Sequence, residues 1–379
     1  MDFMKDVFRI QERFEIVERG IVYTLEKSKD AMFNVGDILV DLWGNRFKVK
    51  GIEMLRRMSD GRSLENVSVG IMFERMDGVD VSGNILVRDL RDISFLFCNH
   101  PLYQRKADED YEAEYQAAGL RHACALFSYE DLEKGYLSLY GEPISGLTIY
   151  RGWMMKPEMY ELFYSLLEEK GIVLINTPDE YRTYHLLPEW YPDFEEETAK
   201  SVWEEEGSLE NALEMAKELE GAYIVKDYVK SRKHEWYDAC FIKNIADKNS
   251  TSKVIGNFIE RQGESLAGGI VLRKFEQLMQ IGFHEKSGMP LSEEYRVFIY
   301  AGRILNIGDY WRENVDVKIT DEEKNWLEEI AYKVKSNFIT VDIARKTDGS
   351  LVIMEFGDGQ VSGLQQMDVM DFYEAFDVK

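Results

Sequence analysis

Hydrophobic and polar residues alternate along most of the first ninety positions. In FRIQERFEIV, for example, Phe8 and Ile10 and then Phe14 and Ile16 are spaced two apart, and similar short runs continue to GNILV, separated by Gly and Asn/Asp clusters. A period of two is typical of strands with one buried face, and short strands at regular spacing are typical of a small barrel. The pattern predicts an all-β N-terminal domain over residues 1–98, with no helix longer than a turn.

The pattern changes after a polar segment without clear period, residues 99–120, which is predicted to be a linker or a short surface helix. Beyond it, strands alternate with helices. LTIYRGWMM reads as a strand, Pro157 starts a helix that Gly171 ends, and the strand IVLINT follows, which makes a βαβ unit. Thr320 and Glu323 form a capping box at the start of a later helix. This part of the chain is therefore predicted to be α/β or α+β.

One predicted hairpin, DIARKTDGSLVIMEF, carries an acidic residue at each end. Asp348-Gly349 is a two-residue type I′ turn signal, and counting outward from it pairs Asp342 with Glu355. Cross-strand Cβ atoms lie about 5 Å apart, where like charges repel. The pair therefore needs a proton, a basic side chain or a cation between the two groups.

Cationic residues also occur within strongly β-like runs: Lys226 in AYIVKDYVK, Arg273 in GGIVLRKF and Arg296 in EEYRVFIYAGRIL. Each by itself fits a strand-edge residue or a structural ion pair. Together with the carboxylate pair they favour a sheet surface that holds a polyphosphate and its Mg²⁺, an ion that takes carboxylate, phosphate and water oxygens.

Composition narrows the classes of function. The 379 residues carry 70 acidic and 46 basic side chains, a formal charge of −24, which argues against a broad nucleic-acid-binding surface. The three cysteines lie far apart in sequence and indicate neither a disulfide framework nor a zinc site. No run approaches the ~18 apolar residues of a membrane span. We expect a cytoplasmic protein with no membrane association.

Several catalytic motifs are missing from the sequence: a G-x-S-x-G elbow, a GxxxxGK[ST] phosphate loop, GxGxxG opening a helix, and HExxH. Serine hydrolase, P-loop NTPase, Rossmann dehydrogenase and zincin functions therefore have no local support. We interpret His185 as a packing or hydrogen-bonding residue rather than a catalytic one.

The order of motifs resembles that of the ATP-grasp superfamily over roughly residues 120–379, and more narrowly a diverged bacterial and phage clade named for two arginines and a lysine. Residues 121–190 are similar to the clade's pre-ATP-grasp region. Residues 191–379 contain the similar lysine strand YIVKDYVKSRKHEW, hinge GGIVLRKF, second arginine strand EEYRVFIYAGRIL and metal-binding hairpin FITVDIARKTDGSLVIMEFGDGQVSGL. The resemblance implies a multidomain protein in which an all-β barrel precedes an α+β ATP-grasp fold.

The resemblance also implies ATP and Mg²⁺ as cofactors and assigns roles to named residues. Lys226 would contact ATP phosphates, and the backbone around Lys274 and Phe275 would meet adenine. Arg273 and Arg296 would handle phosphate or a substrate carboxylate, and Asp342 and Glu355 would hold Mg²⁺.

The sequence departs from the family pattern in places. Most members have Glu-x-Asn at the end of the hairpin, whereas here Gly357 stands at the Asn position; Asp358 or Gln360 is the expected replacement for the third metal ligand. No lysine matches the usual first lysine, for which Arg182 is the candidate. Arg151 is the candidate for a substrate contact.

The N-terminal segment separately resembles the second, β-barrel domain of translation elongation factors over about ninety residues. No phosphate loop precedes it, so the resemblance implies a binding or positioning module, with a protein partner as one use of it, and no GTP chemistry.

The function implied by the ATP-grasp resemblance is an ATP-dependent ligase that joins a small-molecule or peptide carboxylate to an amine or a thiol through an acylphosphate. Two alternatives stay open at this point. One is a non-catalytic ATP-binding scaffold whose barrel recruits a partner, and the other is a phosphotransferase.

Overall fold

The computed structural model describes residues 7–16, 20–28, 33–53, 66–88, 93–311 and 319–377. Within these residues the chain forms a barrel, a mixed sheet with flanking helices, and two further four-stranded sheets that enclose a cleft. Among the same residues, no helix combines the length and apolar character needed to cross a membrane.

The first described residues form a closed six-stranded barrel in the order β1-β2-β5-β4-β3-β6, and its strands are β1 Val7–Ile16, β2 Gly20–Ser28, β3 Ile38–Asp41, β4 Arg46–Glu53, β5 Asn66–Arg75 and β6 Ile85–Val87. Inward-facing residues such as Phe8, Leu25 and Leu39 are fully buried, because alternate positions of each strand face the barrel interior. The predicted barrel is confirmed. Its likeness to an elongation-factor domain stays a prediction.

A mixed sheet follows in the order β10-β9-β7-β11-β12, with β8 paired to β7. Its elements are β7 Ser94–His100, β8 Tyr103–Ala107, α1 Glu112–Gly119, β9 Cys124–Phe127, α2 Tyr129–Glu133, β10 Leu139–Gly141, β11 Gly146–Arg151, α3 Pro157–Glu168, β12 Ile172–Leu174, α4 Pro178–His185 and α5 Leu187–Trp190. β11 and β12 are parallel, so the predicted βαβ unit around Pro157 is confirmed. β7, which spans the predicted barrel end at residue 98, pairs in this second sheet.

The next sheet, which we call the lysine sheet because it carries Lys226, has the order β13-β16-β14-β15. Its elements are β13 Ser201–Trp203, α6 Leu209–Ala216, β14 Tyr223–Lys226, α7 Trp236–Ala239, β15 Phe241–Ile242, α8 Lys248–Gln262 and β16 Val271–Lys274. Val225 and Leu272 on one face pack into the apolar cluster under α8. Lys226, one position further on, lies on the opposite face.

The last sheet, here called the hairpin sheet, has the order β20-β19-β21-β22. A two-stranded ribbon precedes it and two helices flank it; the elements are β17 Gln280–Phe283, β18 Pro290–Ser292, β19 Glu294–Tyr300, β20 Arg303–Asp309, α9 Asp321–Lys333, β21 Phe338–Arg345, β22 Leu351–Asp358 and α10 Val369–Glu374. α9 begins with the predicted capping box, in which Thr320 and Glu323 bond each other's backbone N–H.

The β21–β22 hairpin pairs Asp342 with Glu355 as predicted, but not through the predicted turn. Lys346 N–H donates to Ser350 O and Gly349 N–H donates to Lys346 O, so the loop has three residues, and Gly349 takes the left-handed conformation at φ 92°. The prediction of a two-residue type I′ turn was wrong. A β-bulge beyond Asp342 shifts the register by one residue, which restores the predicted pairing.

The barrel is attached to the rest of the chain by direct hydrogen bonds. Arg9 Nη2 donates to Leu174 O (2.7 Å), Asn84 Nδ2 donates to Glu180 Oε1 (2.6 Å) and Ser82 Oγ donates to Ala301 O (2.6 Å). These bonds reach both the mixed sheet and the hairpin sheet, so the barrel packs against each of them.

Candidate functional site

A cavity of about 890 Å³, which we call the cleft, lies between the lysine sheet, the hairpin sheet and the β17–β18 ribbon. This volume is in the range of cofactor and ligand sites in proteins. The described residues that line it begin at Met154, after the barrel. The predicted site residues Lys226, Arg273, Arg296, Asp342 and Glu355 all contribute to its wall.

Asp342 is held by Arg296 from the neighbouring strand, where the two residues are directly opposite in register. Arg296 Nε donates to Asp342 Oδ1 and Arg296 Nη2 donates to Oδ2, both at 2.7 Å. Both side chains are about nine-tenths buried. A bidentate pair of this kind fixes the guanidinium and the carboxylate in one plane.

Glu355 is paired less completely. Lys226 Nζ, from the lysine sheet, donates to Glu355 Oε1 at 2.6 Å. The Glu355 side chain keeps 35% of its surface exposed, against 7% for Asp342. Burial opposes ionisation of Glu355, but Lys226, Lys233 and Arg273 outweigh it and hold the pKa of this carboxyl below its usual value. The repulsion predicted between Asp342 and Glu355 is thus relieved, because each carboxylate is paired with a basic side chain.

Lys233 is a third cation at the same surface. Its ammonium has no hydrogen bond or ion pair among the described residues and lies 5.8 Å from the centre of the Tyr310 ring, which Arg296 faces from 5.1 Å. Burial lowers the pKa of Lys233, but Tyr310, Glu294, Glu355 and Asp342 together raise it above the ordinary value. Lys233 is therefore a charged group that nearby carboxylates stabilise without a direct ion pair in the described part of the chain.

Arg273 points its guanidinium into protein oxygens. Nη1 donates to Ala199 O and Ser201 Oγ, and Nη2 donates to Thr198 Oγ1 and to the carbonyls of Ile353 and Met354. Burial without a bonded carboxylate lowers the pKa of Arg273 to about 10. Arg273 thus ties the lysine sheet to the strand segment immediately before Glu355.

One end of the cleft is aromatic. Phe275 packs 5.0 Å from Phe241 and 6.0 Å from Trp236, and Trp236 stacks on Phe241 at 5.1 Å. The N–H groups of Lys274 and Phe275 are already used, by Lys200 O and Ala222 O. An apolar, flat-walled end of this kind suits a planar ring.

Two other candidates have different surroundings. Arg182 is half exposed and pairs with Glu189, and it is not among the residues that line the cleft. Arg151 is fully buried against Glu114, also away from the cleft, so the structure does not support it as a substrate contact.

Asp358 borders the cleft, but its oxygens accept from Asn176 Nδ2 (2.6 Å) and from the N–H (2.8 Å) and Nε2 of Gln360. Burial raises the pKa of Asp358 to about 7. Its carboxyl is therefore turned towards the mixed sheet.

The donor set fits a nucleotide-bound Mg²⁺ rather than a free-standing metal site. Asp342 and Glu355 offer hard oxygen donors on one sheet face, and Mg²⁺ is commonly held by one or two carboxylates together with phosphate oxygens and water. In the part of the chain that the structure describes, no group of three His, Cys, Asp or Glu side chains could hold a metal ion.

Sequence reasoning missed four charged residues that line the cleft: Lys230, Lys233, Glu276 and Glu294. Lys233 lies in the 3₁₀ turn Lys233–Glu235, where strand periodicity does not apply. Glu294 lies at the start of β19, two positions from Arg296, and that spacing was a usable signal for the shared face. His185 also lines the cleft; it stacks on Tyr181 at 5.0 Å, burial lowers its pKa to about 4, and its interpretation as a packing residue stays a prediction.

A comparison with protein-family models matches residues 214–376 to an ATP-grasp domain, family 3 of the clade named for two arginines and a lysine. No curated protein sequence matches the chain significantly.

Among solved structures, the chain is similar to the ATP-grasp ligase PsnB complexed with minimal precursor, at 13% identity and a TM-score of 0.48, over 75% of this chain and 98% of that one. It is also similar to a RimK domain protein ATP-grasp from Sphaerobacter thermophilus DSM 20745, at 11% identity, a TM-score of 0.49 and coverage of 75% and 98%. A third is D-alanyl-alanine synthetase A from Vibrio cholerae O1 biovar eltor str. N16961, at 11% identity, a TM-score of 0.47 and coverage of 76% and 94%.

The predicted order of lysine strand, second arginine strand and carboxylate hairpin thus lies within the matched segment and surrounds one cleft. Residues 214–376 of this chain thus match the model of an ATP-grasp domain of the clade named for two arginines and a lysine.

Proposed function

We propose that the protein is an ATP-dependent ligase that joins a carboxylate to an amine or a thiol. The observation that carries the proposal is the charge arrangement of the cleft. Lys226 and Arg296 each form an ion pair with a carboxylate of the hairpin, and Lys233, next to the Tyr310 ring, forms none among the described residues. These cations lie together at a surface large enough for a nucleotide, where phosphates can replace carboxylates as their partners.

The reaction that fits this surface uses no side-chain nucleophile. A carboxylate oxygen of the substrate attacks the γ-phosphorus of ATP, the bond to the β-phosphate oxygen breaks, and ADP leaves. The acceptor's nitrogen or sulfur then attacks the acylphosphate carbon, and inorganic phosphate leaves as the C–N or C–S bond forms. Each step moves negative charge between oxygens, so positioning and electrostatic stabilisation supply the catalysis.

Lys226 and Arg296 have two sets of partners in this proposal. Without nucleotide they neutralise Glu355 and Asp342, at 2.6 and 2.7 Å. With nucleotide, the phosphates compete for the same cations, which frees carboxylate oxygens for Mg²⁺. Bound there, Mg²⁺ would neutralise charge on the β- and γ-phosphates. Lys233 would contact the transferring phosphoryl group, because Glu294, Glu355 and Asp342 stabilise its charge without a direct ion pair among the described residues.

The remaining roles follow from the walls of the cleft. The aromatic end around Phe275 would bind adenine, next to the backbone of Lys274. Arg273 would act by holding the Met354 carbonyl, and hence Glu355, in place rather than by contacting phosphate. The barrel would serve as a positioning or partner-binding module, since the described cleft lining contains no barrel residue.

The test is an incubation with ATP, Mg²⁺, hydroxylamine and a panel of amino acids and peptide carboxylates. A ligase produces a hydroxamate together with ADP, because hydroxylamine opens the acylphosphate. A stable phosphorylated product would instead indicate a phosphotransferase, and no turnover with any carboxylate would contradict the ligase proposal.

Two matched variants locate the activity in the hairpin. Asp342→Asn is expected to lower turnover by about 10²–10³-fold, as removal of a charge-stabilising group does in other enzymes. Asp348→Asn makes the same chemical change at the exposed tip of the same hairpin, where Asp348 contacts its neighbours Ser350 and Lys346, and it should leave turnover unchanged. Equal activity of both variants would exclude a role for Asp342.

A non-catalytic scaffold is the second candidate, and one observation favours it. Both oxygens of Asp342 are taken by Arg296, so the hairpin is self-neutralised without any ligand. A scaffold would bind ATP with the Arg296–Asp342 pair intact. Nucleotide binding that is unaffected by Mg²⁺, together with no turnover, would support this alternative over the ligase.

A further inference from the structure

Gly357 leaves a gap in the cleft wall that two hydroxyl groups fill. It lies two residues after Glu355 on β22, hence on the same face, and directly opposite Thr340 on β21. A Cβ atom at Gly357 would lie 2.9 Å from Thr340 Oγ1 and 2.9 Å from Ser362 Oγ. The two hydroxyls therefore occupy the room that a side chain at this position would need.

The hydrogen bonds of these hydroxyls have a direction. Ser362 Oγ donates to Asp358 O at 2.8 Å, which uses its single hydrogen. The 2.8 Å contact between Thr340 Oγ1 and Ser362 Oγ is then donated by Thr340. The alternative donation, from Thr340 Oγ1 to Gly357 O, is longer at 3.4 Å. Among the described residues none donates to Thr340 Oγ1, so its lone pairs are uncommitted.

Thr340 also has the right neighbours. It lies two positions before Asp342, so the Thr340–Gly357 pair forms the row next to the Asp342–Glu355 pair on one sheet face. Adjacent rows on a face are about 6.6–6.8 Å apart. Side chains that reach from both rows would therefore be able to hold one ion between them. Thr340 and Ser362 both line the cleft.

We propose that the Thr340 hydroxyl is the third protein oxygen for the nucleotide-bound Mg²⁺, with Ser362 as the positioning residue that orients it. Serine and threonine hydroxyls bind Mg²⁺ in other nucleotide sites. With Thr340 as a ligand, the metal site needs neither a side chain at Gly357 nor a third carboxylate, and none is grouped with Asp342 and Glu355 among the described residues. It excludes Asp358, whose oxygens face Asn176 and Gln360. The inference rests on the proposed function, because it takes the metal to arrive with a nucleotide.

The test measures Mn²⁺ binding by electron paramagnetic resonance in the presence of the non-hydrolysable analogue AMPPNP, which reads out the metal without turnover. Thr340→Val keeps the shape and removes the oxygen, and it should weaken Mn²⁺ binding to the complex by about 10-fold or more. Thr340→Ser keeps the oxygen and should bind within about twofold of wild type. Ser362→Ala should weaken binding less than Thr340→Val does, since it removes only the orienting contact.

Two controls separate a metal ligand from a structural residue. Thr148→Val removes an equally buried hydroxyl in the mixed sheet, which bonds Gly146 O, and should leave Mn²⁺ affinity unchanged. AMPPNP binding in excess chelator should be the same for wild type and Thr340→Val, as should their thermal unfolding midpoints within a few degrees. Should Thr340→Val not fold, the Mn²⁺ affinities of Thr340→Ser and Ser362→Ala are compared instead. Near wild-type affinity for the first and weaker affinity for the second support the assignment, and equal affinities contradict it.

The outcomes distinguish this inference from the proposed function. Wild-type protein that holds no Mn²⁺ with AMPPNP would overturn both. Wild-type protein that binds Mn²⁺ while Thr340→Val binds it equally well would overturn the Thr340 assignment alone and leave the ligase proposal standing.

Discussion

Two buried arginine–carboxylate pairs lie on opposite sides of one loop, and only one of them faces the cleft. Arg151 bonds Glu114 in the mixed sheet region, and Arg296 bonds Asp342 in the hairpin sheet. The loop after β22 connects them, because Arg151 Nη1 donates to Ser362 O at 2.8 Å and Arg296 Nη1 donates to Gly363 O at 2.9 Å.

The surroundings of the two pairs differ more than their geometry. The Arg151 side chain is fully enclosed by the rings of Phe298 and Phe372, and Tyr373 donates its hydroxyl to Glu114. Arg296 instead faces the ring of Tyr310, against which Lys233 also lies, and Lys233 forms no ion pair among the described residues. A buried ion pair is thus weak evidence of function by itself. An adjacent cavity and a nearby lysine that forms no direct ion pair among the described residues are what distinguish the Arg296 pair.

The largest expected effect is on stability, at the enclosed pair. Arg151→Met should lower the free energy of unfolding by about 3–5 kcal/mol, because it leaves the Glu114 carboxylate buried without its cation. Arg296→Met should cost less, about 1–3 kcal/mol, since Lys233, whose charge interacts favourably with Asp342, remains near the carboxylate. Urea unfolding followed by circular dichroism measures both, with the exposed Arg182→Met as a control within about 0.5 kcal/mol of wild type. Equal losses of unfolding free energy in Arg151→Met and Arg296→Met would show that the enclosed pair and the pair facing the cleft do not differ in stability.

The next effect is on turnover, at the pair that faces the cleft. Arg296→Met should reduce ATP-dependent hydroxamate formation by about 10²-fold, because a cation that stabilises the transferring phosphoryl group is lost. Arg296→Lys should recover part of this, since lysine keeps the charge but not the bidentate fork. An Arg296→Met enzyme with wild-type turnover would show that this pair is as purely structural as the Arg151 pair.

A smaller effect concerns Asp358, which lies between the two regions. Burial, offset in part by hydrogen bonds from Asn176 and Gln360, raises the pKa of Asp358 from 3.8 to about 7. Between these values the folded protein keeps a proton that the unfolded chain has released, so this group's contribution to stability is lost as pH rises from about 4 to 7. The slope is at most about 1.4 kcal/mol per pH unit.

The measurement is urea unfolding of wild type and Asp358→Asn at pH 5 and pH 7.5. The free energy of unfolding of wild type should exceed that of the variant by less at pH 7.5 than at pH 5. An advantage that is independent of pH would show that Asp358 is ionised throughout this range.

The smallest effect is at the tip of the hairpin, far from either pair. Gly349 has φ 92° with open space around it, so Gly349→Ala has only a backbone cost of about 1 kcal/mol. Gly119→Ala, which also meets open space but without a positive φ, is the matched control and should cost less. Turnover of Gly349→Ala should match wild type. A large loss of turnover would mean that the tip controls the position of Asp342.

Much of the fold was predictable because it follows from local patterns. Strict alternation around Phe8 predicted the barrel, and Pro157 and Thr320 marked helix starts that the structure confirms. The assignment of β7 was not predictable from alternation, because its first six residues are all buried. A strand buried on both faces carries no two-residue period, and only its partners in the mixed sheet show where it belongs.

The site was predictable where it depends on strand faces and not where it depends on distant contacts. The Asp342–Glu355 pairing was correct although the turn was wrong, because a bulge, which leaves no mark in the sequence, compensated the shifted loop. The use of Arg273 as a tie between sheets depends on carbonyls about 80 residues away in the chain. Lys233 was missed because its turn has no period.

The most direct test of the central claim is nucleotide affinity with and without Mg²⁺. Titration calorimetry with AMPPNP should show that Mg²⁺ strengthens binding to wild type by about tenfold or more, equivalent to about 1.4 kcal/mol. In an Asp342→Asn, Glu355→Gln double variant, Mg²⁺ should bring no such gain, whereas binding without the metal persists. An equal gain in both proteins, or none in wild type, would contradict the account of this cleft.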